Sequence, residues 1–149
     1  MKIIDRLKDK NILIWGYGRE GKSTERFIKT YCSVKSLTVF EGSQDEIDET
    51  GYDIIIKSPG IRAERYCDNF TSQTELFLEE FASQTVGITG TKGKSTTTCM
   101  LCLALQKASG HDAILVGNLG FPCLDHYAEI TDNTVIVFEM SCHQLAHLQ

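Results

Sequence analysis

The sequence has no stretch of 18 apolar residues, and Met1-Lys2-Ile3-Ile4-Asp5-Arg6 at its start has no apolar core. Neither a membrane-spanning helix nor a secretory leader is expected from that pattern, and a cytoplasmic chain is. An excess of basic residues is also missing. Lys and Arg number 15 against 20 Asp and Glu, giving a formal charge of −5 with no run of like charge. A field of that sign favours neither nucleic acid nor an anionic membrane surface, so a phosphate-bearing ligand must be held by local chemistry. The six cysteines show no framework spacing. Without an export signal they are expected to be reduced thiols. Cys99-x-x-Cys102 lies in a predicted helix with no second ligand pair, which favours small buried hydrophobes over a zinc or redox site. Repeats, low-complexity tracts and long flexible linkers are absent too.

What is present is enough for a core. At 149 residues and 42% hydrophobic, the chain fits one ordinary domain or two small ones. Asn11–Trp15, Ser36–Phe40 and Asp53–Ile56 read as strands. Residues 20–31 between the first two show helical spacing of Phe27, Ile28 and Tyr31. Lys57-Ser58-Pro59-Gly60 then demands a turn. A helical piece, Glu75 to Phe81, precedes a second series: strand Thr85–Thr89, a helix from about Gly93 to Ser109 stopped by Gly110, and strands Ala113–Val116 and Thr134–Phe138. A last helix opens at Ser141. Strands alternating with helices predict an α/β fold with parallel sheets, in two domains, 1–82 and 83–149.

Gly90-Thr91-Lys92-Gly93-Lys94-Ser95-Thr96 follows a predicted strand and opens a helix. Glycines let the backbone turn and present bare N–H groups to phosphate oxygens, and the helix N-terminus adds its dipole and orphan donors. Lys94 reaches the β- and γ-phosphates as a point charge, and the Ser95 hydroxyl is a hard oxygen suited to Mg²⁺. ATP or another nucleoside triphosphate is the expected ligand, although Ile88 stands where the standard phosphate loop has its first glycine. Glu139, directly after an apolar strand, is placed as a second metal-binding oxygen.

Gly16-Tyr17-Gly18-Arg19-Glu20-Gly21 is a G-x-G-x-x-G pattern between a strand and a helix, with Glu41 about 20 residues beyond it. Taken alone it is a dinucleotide fingerprint with Glu41 placed for a ribose hydroxyl. On the residues themselves the ligand is a phosphate-bearing nucleotide. A nicotinamide-dependent oxidoreductase domain and a non-catalytic nucleotide-binding module both stay open at this point.

Taken together and in order, these motifs resemble the Mur ligase family, in particular its D-glutamate-adding branch. The features that match are the first glycine loop, Ser58-Pro59-Gly60-Ile61, Glu75-Leu76-Phe77, the Gly90–Thr96 loop, Gly117-Asn118-Leu119-Gly120-Phe121-Pro122, and Glu139-Met140-Ser141-Cys142-His143-Gln144-Leu145. The resemblance covers essentially the whole chain. It implies a Rossmann-like first domain that binds the UDP portion of the substrate, followed by the truncated start of a P-loop-type ATP-binding α/β domain. The implied reaction is ATP-dependent joining of D-glutamate to UDP-N-acetylmuramoyl-L-alanine through an acyl phosphate, with Mg²⁺, by a monomer in peptidoglycan precursor synthesis. By the same likeness, Gly18, Arg19, Glu20 and Glu41 approach uracil and ribose, and Ser58, Pro59 and Gly60 approach the diphosphate. Asn118, Ser141 and Gln144 face the muramoyl-alanyl end. Lys94 is the catalytic cation, and Ser95 and Glu139 are the metal ligands.

The chain departs from the family pattern at Lys92, where Asn is common, at Arg19-Glu20, and at Cys142-His143. It ends at Gln149 inside a helical pattern, and three strands are few for a phosphate-binding α/β domain. A front-third fragment is therefore expected. The family's remaining metal ligands and its amino-acid domain would lie beyond Gln149, leaving a fragment that binds without turning over.

Overall fold

A computed structural model describes residues 2–108, 112–118 and 121–145. The chain divides into two compact units, Met1–Glu80 and Phe81–Leu148.

The first unit begins with a short helix, α1 (Ile3–Leu7), and continues with β1 (Asn11–Trp15), α2 (Arg19–Tyr31), β2 (Ser36–Phe40), β3 (Ile54–Lys57), β4 (Phe70–Thr71) and α3 (Gln73–Phe81). The four strands form one all-parallel sheet in the order β2-β1-β3-β4. Every residue of β3 is buried, as are the last four of β1, which is the continuous apolar signature of strands covered on both faces. Successive side chains alternate between those faces. Leu13, Trp15 and Ile55 pack against Phe40 of β2, Phe70 of β4, and Ile47, Tyr52, Ile61 and Ala63 from the connecting segments. On the opposite face, Ile14 and Ile56 meet the first turns of α2, whose Gly21, Thr24, Phe27 and Ile28 are buried at helical spacing. Because β1 has β2 on one side and β3 on the other, the chain reverses its direction of growth at β1. That is where open α/β sheets form a binding crevice beyond their carboxyl ends.

The second unit contains β5 (Thr85–Ile88), α4 (Lys94–Ala108), β6 (Asp112–Gly117), β7 (Thr134–Glu139) and α5 (Cys142–Leu145). Its strands are parallel in the order β5-β7-β6. Strand β7 is the centre, and α4 covers it by packing Cys102, Leu101 and Leu105 against Ala113, Leu115, Val137 and Ile88. Both units are thus α/β with parallel sheets, as the alternating pattern predicts. Strand β7 lies directly beside β5, the strand feeding the Gly90–Thr96 loop; β7 is mostly buried, whereas β5 is partly exposed.

Element boundaries differ from the sequence expectation in small ways. Strand β3 starts one residue later and takes in Lys57. The Asp53 carboxylate instead accepts from the Asn11 backbone N–H at 2.7 Å, which holds it at the strand margin. Gly90 turns the chain with φ +146°, so β5 stops at Ile88. The expected helix stop at Ser109 and Gly110 lies outside the described residues, as do Leu119 and Gly120. All six cysteines are free, and Cys99 and Cys102 lie within α4. Among the described residues no helix is long and apolar enough to cross a membrane.

Candidate functional site

In the first unit the register brings three expected segments to one edge of the sheet. Trp15 pairs with Phe40 on one side and with Lys57 on the other. The Gly16–Gly21 loop, Glu41 and the Ser58–Gly60 turn therefore all leave from the carboxyl ends of neighbouring strands. Gly16 takes φ +95° and donates its N–H to the Phe40 carbonyl at 2.8 Å. Gly18 caps α2 in extended conformation, and Arg19 and Glu20 begin the helix. A Cβ on Gly21 would sit 2.1 Å from the Gly16 carbonyl oxygen, so the helix approaches the loop as closely as only glycine permits. The Ser58 hydroxyl donates to that same Gly16 oxygen at 3.1 Å, tying the turn to the loop. Arg19, Glu41 and Gly60 are exposed, and Ser58 and Pro59 are half-buried. The edge thus offers backbone N–H groups and a helix N-terminus to an anion, with a carboxylate to one side.

In the second unit, Gly90 and Gly93 take positive φ, +146° and +78°, and the loop passes into α4 at Lys94. The first helical bond runs from the Thr97 N–H to the Gly93 carbonyl at 2.9 Å. The Lys94 ammonium folds back on its own loop, donating to the Gly90 carbonyl at 2.6 Å. Thr91, Lys92, Gly93, Lys94, Ser95, Thr96, Asn118 and Glu139 line one open cleft of about 370 Å³. Ser95 Oγ donates to Glu139 Oε1 at 3.2 Å, and Asn118 Nδ2 reaches the same oxygen at 3.5 Å. Glu139 is 1% exposed, and its other oxygen, Oε2, is buried without a hydrogen-bond partner among the described residues. An unsatisfied buried carboxylate oxygen is costly, and a hard cation is the partner that would relieve it. A serine hydroxyl and a glutamate oxygen in contact are the donor set Mg²⁺ takes, with water completing its shell. The residues present therefore fit a divalent cation beside a polyphosphate.

Gly117, at φ +104°, brings Asn118 to this cleft. A Cβ there would fall 2.2 Å from the Glu139 carbonyl, so the two strand ends lie in backbone contact. Ser141 and Gln144 are joined to each other. The Ser141 N–H donates to Gln144 Oε1 at 2.8 Å and the Gln144 N–H to Ser141 Oγ at 3.3 Å, a reciprocal cap on α5. The sequence carried that signal as S-x-x-Q ahead of an apolar residue. Sequence reading passed over Lys57, which is buried at the end of β3. No residue pattern marks a buried lysine in advance.

No family model matches the chain. Curated relatives do. A protein of Xanthomonas euvesicatoria pv. vesicatoria named "UDP-N-acetylmuramoyl-L-alanine--L-glutamate ligase" is 34% identical over 95% of this chain and 37% of its own length. Proteins named "UDP-N-acetylmuramoylalanine--D-glutamate ligase" from Oenococcus oeni and Streptococcus thermophilus are each 26% identical. They are matched over 95% and 100% of this chain, and 36% and 39% of their own lengths. The chain is similar to these glutamate-adding ligases. It spans little more than a third of the Mur ligases it resembles. The relatives include enzymes named for each hand of glutamate, and those named for L-glutamate have the higher identity.

Proposed function

We propose that this chain supplies the UDP-substrate-binding and ATP-binding parts of a ligase that joins glutamate to UDP-N-acetylmuramoyl-L-alanine in peptidoglycan precursor synthesis. Residues 1–82 take the UDP portion and residues 83–149 form the first part of the ATP-binding domain. The observation that carries the reading is the Ser95–Glu139 contact, with one Glu139 oxygen left without a partner among the described residues, in a cleft lined by Thr91 to Thr96.

In the reaction, the γ-phosphoryl of ATP passes to the L-alanyl carboxylate, giving an acyl phosphate and ADP. The glutamate amine then attacks the acyl carbon, forming the amide and releasing phosphate. Such transfer asks little covalent chemistry of the protein, so positioning and charge neutralisation carry it. The Gly90–Thr96 backbone cradles the phosphates, and Lys94 leaves the Gly90 carbonyl to meet the transferring group. Mg²⁺ held by Ser95 and Glu139 would offset the charge that builds on that group. Asn118 keeps Glu139 Oε1 oriented. In the first unit, Arg19, Glu20 and Glu41 lie toward uracil and ribose, and Ser58 to Gly60 toward the diphosphate. The relatives' names favour this ligand over a nicotinamide dinucleotide.

A second reading concerns the hand of the incoming amino acid. The family likeness points to D-glutamate, whereas the 34% identity to enzymes named for L-glutamate, against 26% for D-glutamate, favours L-glutamate. ADP release by a chain extended to a relative's full length, given each enantiomer in turn, separates the two.

Calorimetric titration with ATP in Mg²⁺ and in EDTA tests the carrying observation. The chain should bind ATP more tightly with Mg²⁺, and Glu139→Gln should abolish that difference. An unchanged Mg²⁺ dependence in the folded variant refutes the metal role of Glu139.

A further inference from the structure

The proposed reaction leaves a buried lysine without a role. Lys57, the last residue of β3, is 3% exposed. Its Nζ donates to the Ile61 carbonyl at 2.7 Å and the Ser58 carbonyl at 3.2 Å. Those carbonyls belong to the two ends of one turn, itself closed by the Ile61 N–H donating to the Ser58 carbonyl at 3.1 Å. Through the Ser58 hydroxyl the same turn is fastened to the Gly16 carbonyl. The ammonium thus braces, from beneath, both loops at the carboxyl edge of the sheet. Glu20 lines the same tight cleft from the first turn of α2, together with Gly21, Thr24 and Gln73. Gln73 pins that turn by donating to the Glu20 carbonyl and to Thr24 Oγ1. Burial pushes the Lys57 ammonium below its ordinary pKa, while the negative charge of Glu20 works against the fall. A lysine in such a place needs a reason, since an apolar side chain would fill the space without desolvating a charge.

We propose that Lys57 is a positioning residue for an anionic diphosphate: it fixes the Ser58–Ile61 turn and sets a positive charge beneath the surface that receives the phosphates. The inference rests on the reading that the first unit takes a UDP-bearing ligand.

NMR titration of the 149-residue chain with UDP and with uridine tests it, because the two probes differ only in the diphosphate. In Lys57→Met the affinity for UDP should fall on the order of tenfold, as for loss of one charge-assisted contact. The affinity for uridine should change by less than about twofold, within the margin of a lost surface contact. Lys57→Gln, which keeps a donor and loses the charge, should behave like Lys57→Met. Unchanged UDP binding overturns the proposal, and so does an equal loss for UDP and uridine, which would mark a general brace. If neither variant folds, the wild-type chain labelled with ¹⁵N-lysine decides. The Lys57 ammonium signal should shift with UDP and not with uridine, and a signal indifferent to UDP overturns the proposal. A wild-type chain that binds neither probe instead overturns the UDP reading on which the proposal rests.

Discussion

Replacing Gly21 with alanine should destabilise the first unit far more than its single methyl group implies. The new Cβ would lie 2.1 Å from the Gly16 carbonyl oxygen and 3.1 Å from its carbon, both backbone atoms, and 3.5 Å from Ile14 Cγ2. An ordinary carbon–oxygen contact needs more than an ångström beyond the first of these distances. No side-chain rotation relieves it, so α2 must move away from the loop or the loop away from β1. That motion would strain the bond from the Ser58 hydroxyl to Gly16 and the bond from the Gly16 N–H to Phe40. Overpacking a tight site costs about 1–3 kcal/mol, and collision with backbone belongs at the upper end. Alanine gains up to about 1 kcal/mol over glycine as a helix former, leaving a net loss of about 2 kcal/mol.

The molecule contains its own reporter for this loss. Trp15 is the single tryptophan; it is 1% exposed and adjoins Gly16 in the first unit. Its fluorescence follows the unfolding of that unit without a signal from the second. For a unit of about 80 residues a loss of about 2 kcal/mol lowers the melting temperature by roughly 8 °C or more. Gly60→Ala is the matched control. No atom lies within 4 Å of its added Cβ and its φ is not positive, so it should leave the Trp15 transition within about 1 kcal/mol of wild type. A Gly21→Ala chain as stable as the Gly60→Ala chain would refute the close approach of helix and loop.

Two other outcomes follow from the second unit and from the thiols. Lys94→Ala should lose on the order of 1.5–3 kcal/mol of ATP affinity, the worth of a hydrogen bond to a charged group, with the fold intact by circular dichroism; calorimetry reads the loss, and unchanged affinity would remove Lys94 from the phosphate site. Alkylation by iodoacetamide, mapped by mass spectrometry at pH 8, should reach exposed Cys142 first and Cys32 slowly, because burial pushes the Cys32 thiol up to about 11. With the folded pKa raised, the neutral Cys32 thiol stabilises the fold at neutral pH, and that contribution fades as pH rises from the ordinary thiol range through about 11. Rapid labelling of Cys32 at pH 8 would show it unburied.

Much of this was legible from residues because apolar runs and punctuation agreed with one another. Asn11–Trp15, Ser36–Phe40 and Thr134–Phe138 are short, apolar or β-rich, and bounded by turn formers, and each became a parallel strand. Glu139 was placed by the same logic, since a polar residue that closes a buried strand stands at the sheet's carboxyl edge. What escaped notice was either too short to carry a period or settled by distant contacts. Helix α1 has five residues with only Ile3 and Leu7 buried, and it is held by Glu80 accepting from the Ile3 N–H at 2.8 Å and by Arg6 pairing with Glu79. Two-residue β4 exists only because β3 is there to pair with it. The burial of Lys57 depends on carbonyls that the turn presents only after folding.

The two glycine clusters look alike as strings and differ as physics. In the first, Gly21 answers a demand for space, since any Cβ would occupy the Gly16 carbonyl. In the second, Gly93 has no atom within 4 Å of an added Cβ, and its φ of +78° is what excludes other residues. One glycine therefore packs a helix onto a loop, and the other turns a chain along an open cleft. On the proposed reading, the first arrangement supports an edge at which Arg19, Glu41 and Ser58 meet the ligand. On the same reading, the second gives a backbone cradle for a polyphosphate, with Lys94, Ser95 and Glu139 handling its charge. A chain built this way would distinguish nucleotides mainly in its first unit and handle phosphoryl charge mainly in its second, the division of labour that an ATP-dependent ligase acting on a UDP-linked substrate requires.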